Sequence, residues 1–398
     1  METNPKSAPD ANRRDFLRVG TAAVALGAAA NPALGREASG RASGEPAEEG
    51  RNRQPGMAYR RLGRTGMMIS EVVCGGDPIT LKNYKHIHKA IERGLNYLDM
   101  APAYNGGDTE RAFGKLLTES PNLRDKVYLT TKVSVFNEVR TRLYRKILDG
   151  LPASRQEAIR REAKAIGRSR RLEVPGYYLT YYPGQQKAFA SAYLRAAMQP
   201  EFGDRVENSP DVRQAIVESI EGSLKRVGTD HFDLLMCPHG ADIAEDLGSP
   251  AIPEVFADLK RQGKVRFLGV TSHNDPSGVL HAAADAGHYD AAMVAYNVIN
   301  GGYVNASLAH ATGKGLGVIA MKAAHAVATH HKPLQPVPSW RVAKVERVVP
   351  GEMKAPMKAY LWALQDPRIS AVISNLWDET YIDENLGLAG RRIELGPA

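Results

Sequence analysis

A chain of 398 residues, 43% hydrophobic and 24% charged, has room for one large domain or two ordinary ones and the composition of a soluble globular protein. No run of about 18 apolar residues follows the N-terminal region, which excludes an internal membrane span. Two cysteines, Cys74 and Cys237, with no closely spaced Cys/His set, exclude a disulfide framework, iron–sulfur clusters and structural zinc, and the net charge of +8 is a modest excess whose place in the chain matters more than its size.

The N-terminus reads Asn12-Arg13-Arg14-Asp15-Phe16-Leu17, followed by a mildly apolar run from Val19 to Ala30 and small residues near Ala33-Leu34-Gly35. Residues 1–35 thus resemble a twin-arginine signal peptide. That resemblance implies twin-arginine export machinery as a partner and an exported, periplasmic or extracellular protein, membrane-anchored if the signal stays uncleaved. Residues 36–56 hold almost no apolar side chains, so they are expected to form a disordered linker with the folded domain starting near Met57.

From Met57 onward short apolar runs alternate with amphipathic helical segments. A β-hairpin comes first, Tyr59 to Leu62 and Met67 to Ile69 around a turn at Gly63 to Gly66. Strands are expected at Val72–Cys74, Asn96–Asp99, Val127–Lys132, Phe232–Met236, Val265–Val270, Ala292–Tyr296, Gly317–Met321 and Ala371–Ile373. Between them, Ile216, Ile220, Leu224 and Val227 recur at helical spacing until Gly228, and Pro253 opens a helical segment that Gly263 ends. Eight βα units in residues 57–392 predict an α/β fold, a (β/α)8 TIM barrel, with an open doubly wound sheet as the alternative. In such a barrel Cys74 and Cys237 end strands too far apart to bridge.

One interval is abnormal. Residues 136–210, after the third strand, add about 75 residues with a basic helical stretch and tyrosines at 177, 178, 181 and 182. The segment holds 14 Lys/Arg against 8 Asp/Glu, a difference of +6, so it carries most of the chain's excess charge. Two readings stand open: a lid over the active-site face, or a surface helical pair with a solvated basic face. Nucleic-acid binding through it lacks any known module and conflicts with export, so no nucleic-acid partner is expected.

Polar residues at the C-terminal ends of barrel strands face the active site. Asp99 ends the second strand, Tyr104 follows five residues later, Lys132 ends the third, and His239 follows the fourth. A tyrosine hydroxyl near pKa 10 is a poor proton donor at neutral pH, and a nearby ammonium favours its phenolate. A buried lysine needs a carboxylate, which Asp99 supplies, and a histidine can orient a carbonyl oxygen. These four residue types suit carbonyl reduction or its reverse.

The segment from Tyr97 to Tyr104, with Thr109-Glu110 and Gly114-Lys115-Leu116 after it, is similar to the Asp-x-Ala-x-x-Tyr signature of the aldo-keto reductase family. Leu224 to Asp230, Lys264 to Val270 and the closing Asn385 resemble the family as well. The resemblance implies catalytic roles for Tyr104, Asp99, Lys132 and His239. It also implies NADP or NAD as cofactor, with NADP preferred, near Gly75, Gly76, Asp99, Thr271, Ser272, Met321, Lys322 and Asn385. No metal ligand is expected. The chain departs from the family pattern at the nicotinamide pocket: the usual Ser-Asn becomes Thr271-Ser272, the usual Gln falls at Met293, and the ring-stacking aromatic is Met321. Asp378 and Glu379 stand where a 2′-phosphate favours cations.

Gly313 to Gly317 precedes a strand and is no dinucleotide fingerprint; His86 and His88 lie two apart on a helix; His330-His331 is expected to be solvated. The expected function is hydride transfer between a nicotinamide and a small carbonyl or alcohol, sugar-like in one reading. The alternative is a nucleotide-holding binding or sensor module of the same fold.

Overall fold

The computed structural model describes residues 47–120 and 122–397. The twin-arginine signal at 1–35 and the linker up to residue 46 lie outside the described residues.

Three short strands come first: β1 (Glu49–Gly50), β2 (Tyr59–Arg61) and β3 (Met67–Ser70). β2 and β3 form the expected antiparallel hairpin, and β1 adds to β3 in parallel. Next come β4 (Val72–Gly75), α1 (Ile87–Glu92), β5 (Tyr97–Asp99), α2 (Asp108–Glu119), α3 (Leu123–Lys126) and β6 (Tyr128–Lys132). The chain then runs through α4 (Phe136–Asp149), α5 (Ala153–Arg170), α6 (Lys187–Glu207), α7 (Pro210–Val227) and β7 (Phe232–Met236). It continues as α8 (Ala251–Arg261), β8 (Val265–Ser272), α9 (Pro276–Ala286), β9 (Ala291–Ala295), α10 (Gly301–Gly313) and β10 (Gly317–Met321). α11 (Ser339–Val348), α12 (Ala355–Leu364), β11 (Ala371–Asn375) and α13 (Glu379–Leu386) complete it.

Strands β4 to β11 pair in parallel, each with the next in chain order, and β11 closes on β4. The barrel is therefore closed, and the open-sheet alternative is excluded. Its strands are apolar nearly throughout because both of their faces are buried, one toward the barrel axis and one under helices. Val73, Tyr97, Tyr128, Leu234, Met293 and Ile319 belong to one inner cluster, joined by Leu62, Met67 and Ile69 of the hairpin. The hairpin approaches β10 so closely that a Cβ on Gly317 would lie 2.6 Å from the Leu62 carbonyl carbon, so only glycine fits there. The helices end as their sequence signals dictate. Ser209 caps α7 by accepting from the Asp211 amide, Pro210 opens it, and Gly228 ends it with φ 71°.

The ordered domain starts earlier than Met57. Residues 49–54 lack apolar side chains, yet they are held by polar contacts that hydropathy does not register. Arg51 pairs with the fully buried Asp233 at 3.0 Å and donates to the Val127 carbonyl at 2.8 Å. Asn52 donates to the Ile91 and Leu95 carbonyls, and Glu49 pairs with Arg266. The expectation of disorder is corrected for this stretch, because ion pairs and hydrogen bonds offset the ordering entropy in place of apolar burial. Order also extends past residue 392, where the Gly396 amide donates to the Val348 carbonyl at 2.8 Å.

The segment 136–210 comprises α4, α5, a loop and α6. Arg140 on α4 is 1% exposed, bonded to both Glu207 carboxylate oxygens and paired with Asp246 after β7. Arg195 on α6 reaches the same Asp246 at 2.8 Å. These buried pairs lock α4 and α6 to the barrel, while α5 keeps an exposed basic face. The loop lies across the C-terminal strand ends: Tyr177 donates to Asp275 and Gln185 to Asn274 at 2.8 Å. The segment thus combines a helix with an exposed basic face and a loop that bonds Asn274 and Asp275 beyond the end of β8.

Candidate active site

The C-terminal ends of β5 and β6 bring Asp99 and Lys132 together beneath the turn that carries Tyr104. Lys132 Nζ donates to Asp99 Oδ1 at 2.6 Å and to the Met100 carbonyl at 2.9 Å, with both side chains at most 3% exposed. Burial pushes the Asp99 carboxyl up and the Lys132 ammonium down; the attraction between them opposes both shifts. The Lys132 ammonium also lies 4.4 Å from the centre of the Tyr104 ring. The His239 ring meets the Tyr104 ring edge-on, with centroids 5.7 Å apart at 84°. All four expected catalytic side chains therefore converge.

One electrostatic expectation is corrected. The Tyr104 hydroxyl is pushed well above the usual phenol range, by burial first and then by the Asp99 and Asp77 carboxylates. Lys132 spends its donors on Asp99 and Met100 and offers the ring its charge from the face, so the carboxylate governs the hydroxyl. Tyr104 is held as a neutral phenol. His239 is pushed down to about 3 by burial and by the Lys132 and Lys322 ammoniums, so its imidazole is neutral across the physiological range. Its Nδ1 lies 2.7 Å from the Ser134 hydroxyl, and among the described residues its Nε2 has no hydrogen-bond partner.

The family-like residues after Tyr104 prove to be a packing device. Glu110 is buried, accepts from Thr131 at 2.7 Å and pairs with Arg226 of α7. A Cβ at Gly114 would lie 2.4 Å from the Val227 carbonyl oxygen, so glycine lets α2 close on the end of α7. This holds the strand ends that carry Asp99 and Lys132 in register.

A cavity of about 70 Å³ is lined by Asp99 and Tyr104 of the four, and by Gly75, Gly76, Met293, Met321 and Lys322 among others. Of the expected cofactor residues, these glycines, Met321 and Lys322 are present in it. A Cβ at Gly76 would strike the Asp99 carbonyl at 2.2 Å, so this glycine is also a steric requirement of the strand ends. Thr271 and Ser272 are turned to structure: Thr271 Oγ1 accepts from the Gly240 amide at 2.7 Å, and Ser272 Oγ donates to the Ala241 carbonyl at 2.8 Å. They brace the loop that presents His239. Asn385 lies beneath, with Nδ2 donating to Ser374 at 2.6 Å and Oδ1 buried without a partner.

Sequence reasoning missed His273, Asp77, His325 and Asn375, all of which line the cavity. His273 directly follows β8, and the rule of strand C-termini could have found it. Its ring stands against Tyr182 of the inserted loop, 5.6 Å away at 85°, and against Tyr181. His330 is exposed, as expected, with its ring 5.3 Å from Trp377 and 5.1 Å from His325. His86 bonds the Leu376 carbonyl and His88 the Ser120 hydroxyl, so the two diverge. Cys74 and Cys237 are both buried free thiols. Among the described residues, His281, Asp285 and His310 bring potential metal-ligand atoms within 4.8 Å, but the Lys314 ammonium already lies 2.9 Å from the Asp285 carboxylate. No helix among the described residues is long and apolar enough to cross a membrane.

Comparison with known proteins agrees with this fold. Aldo-keto reductase AMT2 of Alternaria alternata is 26% identical over 226 residues, 54% of this chain and 49% of that protein. 6-Dehydroglucose reductase of Novosphingobium aromaticivorans is 31% identical over 87 residues, 19% of this chain and 29% of that protein. The chain spans about half the length of the curated Alternaria relatives it matches. The solved holo form of aldo-keto reductase AKR11C1 from Bacillus halodurans shares the fold, with a TM-score of 0.56 at 18% identity over 84% of this chain and 92% of that one. The sequence profile of the aldo/keto reductase family matches residues 80–328, more than half of the chain, and the protein belongs to that family.

Proposed function

We propose that the protein is a nicotinamide-dependent oxidoreductase that interconverts a carbonyl and an alcohol. The observation that carries this reading is the convergence of Tyr104, Lys132, Asp99 and His239, with Asp99 and Tyr104 lining one cavity. When bound, the nicotinamide supplies or accepts the hydride. The residues present fit a nucleotide in two respects. Asn385 Oδ1 and His325 Nδ1 are buried polar atoms without partners, suited to a base amino group and to a sugar or phosphate. Lys322 lines the cavity with no ion pair among the described residues, suited to phosphate charge. Gly75, Gly76, Met293 and Met321 form the wall against the ring, and Thr271 and Ser272 shape it by bracing the His239 loop. A cavity of about 70 Å³ has the volume of about two waters.

In the reduction direction Tyr104 donates its proton to the carbonyl oxygen as negative charge develops there, and Lys132 steadies the resulting phenolate. Asp99 keeps Lys132 charged and in place. With His239 Nδ1 accepting from Ser134, Nε2 carries the ring hydrogen and orients the substrate oxygen. Two features support a sugar-like substrate: partial similarity to a protein named 6-dehydroglucose reductase, and the aromatic ring of Tyr182 against His273 of the cavity. The Arg13-Arg14 pair and the apolar run after it support export by the twin-arginine route, which carries folded proteins and so suits an enzyme loaded with cofactor beforehand.

The test is to release bound nucleotide from the purified protein for mass spectrometry, then screen aldehydes, ketones and sugars by the absorbance of reduced nicotinamide. Tyr104→Phe is expected to lower kcat by about 10²–10⁴-fold. Equal activity of the variant on a true substrate would remove Tyr104 from proton transfer.

A further inference from the structure

A second, larger cavity shares no lining residue with the one that Asp99 and Tyr104 line. It lies within the inserted segment, between α4, α5, α6 and the start of the loop that follows α5, and measures about 1070 Å³. Pockets for small organic ligands span about 300–1,000 Å³, so this groove has the size for one.

Its floor is apolar: Leu148 from α4, Phe189, Tyr193 and Leu194 from α6, and Leu172 and Val174 from the loop. The Phe189 and Tyr193 rings stack at 5.6 Å and 8°, giving a flat aromatic platform. Gly167 on α5 makes room for it, since a Cβ there would lie 3.0 Å from the Tyr193 ring.

The rim is basic, and its charges are uncommitted. Arg145, Arg160, Lys164, Arg168 and Arg171 face Asp149 and Glu173, five positive groups against two negative, a difference of +3. The other α5 arginines are neutralised elsewhere: Arg155 by Glu201, Arg161 by Glu157 and Arg170 by Glu245. On the groove side, Arg145 bonds only the Ser191 hydroxyl and Arg160 only the Gln156 amide. Among the described residues, Lys164, Arg168 and Arg171 have no ion-pair partner, and neither do the two acids. On α5, therefore, the arginines away from the groove are paired, while the cations over it have no ion-pair partner among the described residues. An apolar platform beneath unpaired cations matches a ligand with an apolar body and an acidic head.

We propose that this groove binds an amphipathic anion, an aliphatic or aromatic body carrying a carboxylate, sulfonate or phosphate. The apolar body lies on the Phe189–Tyr193 platform and gains from leaving water; the head meets Lys164, Arg168 and Arg171 at the rim. The loop forming one wall runs on to Tyr181 and Tyr182 at His273, so the groove adjoins the support of the active-site cavity.

The experiment is calorimetric titration of the full chain with dodecanoate below its micelle concentration, beside dodecanol and dodecyltrimethylammonium. Dodecanoate is expected to bind one per chain, dodecanol about tenfold more weakly, and the cation more weakly still. Two exposed-site variants divide the contributions. Lys164→Glu with Arg168→Glu is expected to weaken dodecanoate about tenfold and leave dodecanol unchanged. Ala190→Trp, which fills the groove from α6, is expected to weaken both by about tenfold or more. Unchanged melting temperatures show that the variants fold. The proposal is overturned if dodecanoate fails to bind up to its solubility limit, if the cation binds as tightly as the anion, or if both variants bind like the wild type. Sedimentation of the protein with anionic vesicles, without saturable binding of dodecanoate, would also overturn it in favour of a charged membrane-facing surface.

Discussion

Lys132 faces the Tyr104 ring at 4.4 Å while its three donors are turned mainly to Asp99 and the Met100 carbonyl. The lysine therefore serves the tyrosine through its charge and not through a hydrogen bond, and its charge depends on Asp99. Replacing Lys132 by Met keeps the volume and leaves Asp99 buried without its cation. Breaking such a pair costs about 3–5 kcal/mol. Urea unfolding of Lys132→Met should show that loss. Lys132→Met with Asp99→Leu should recover most of the stability and none of the turnover. Recovery of turnover would mean that the pair acts only as scaffolding.

The histidines of the site predict acid sensitivity. His239 and His325 are each pushed down to about 3, from an ordinary value near 6.5, by burial first and then by neighbouring cations. Between those values the unfolded chain binds protons that the native state does not, so stability rises with pH there and falls as pH drops from about 6.5 toward 3. Each such histidine adds a slope of up to about 1.4 kcal/mol per pH unit. Chemical denaturation at a series of pH values should show the slope, and His239→Asn should make it shallower by about one proton. An unchanged slope in the variant would show that the His239 ring titrates normally in the native protein.

Much of the site was legible because barrel topology converts strand order into spatial order. Once eight apolar runs were aligned, Asp99, Lys132 and His239 fell on neighbouring strand ends, and the closed barrel placed them together. What escaped depended on partners far apart in the chain. His273 takes its setting from Tyr181 and Tyr182, and Arg140 is buried only because Glu207 lies 67 residues on. Residues 49–54 read as linker because their partner, Asp233, is 182 residues from Arg51. Periodicity registers apolar faces; it says nothing of a polar group stabilised by a distant charge. The hydroxyls of Thr271 and Ser272 escaped for a related reason, since their acceptor and donor lie on the loop after the preceding strand.

The N-terminal correction gives a direct prediction. A chain beginning at Met57 loses Arg51, which shares the buried Asp233 with Arg124 and Arg266 at 3.1 and 2.6 Å. It also loses Asn52, which bonds the carbonyls of Ile91 and Leu95. Removing these partners should cost about 2–4 kcal/mol, while a chain beginning at residue 47 should match the full-length protein. Equal melting of both truncated chains would restore the linker reading for 47–56.

Two buried arginines, Arg140 and Arg195, anchor the inserted segment to Asp246. Arg140 bonds Glu207 through both carboxylate oxygens, and Tyr144 adds a hydrogen bond to the same group at 3.0 Å. Glu207→Ala leaves Arg140 with the Asn137 amide oxygen at 3.0 Å and the Asp246 carboxylate at 3.4 Å, and should destabilise the segment by about 3 kcal/mol. Protease should then cut within residues 171–186 before the barrel unfolds, and the support of His273 by Tyr182 should be lost with it. Simultaneous loss of the segment and the barrel would show that the two unfold as one unit.

Cofactor preference is expected to turn on the start of α13. Asp378 caps that helix by accepting from the Thr380 amide at 2.9 Å and from its hydroxyl at 2.6 Å, and these bonds hold its carboxyl below the usual range. Glu379 beside it is paired with Lys89. The positive end of the helix is thus already answered by a carboxylate, and a second carboxylate occupies the nearest lysine. A 2′-phosphate arriving there meets like charge, which favours NAD(H) over NADP(H) despite the family's more common choice. Asp378→Ser keeps a capping oxygen and removes one charge; Glu379→Gln releases Lys89. Together they should improve NADP(H) binding relative to NAD(H) by about threefold to tenfold, read by quenching of protein fluorescence on titration with each nucleotide. An unchanged ratio would mean that the adenosine end of the cofactor lies away from α13.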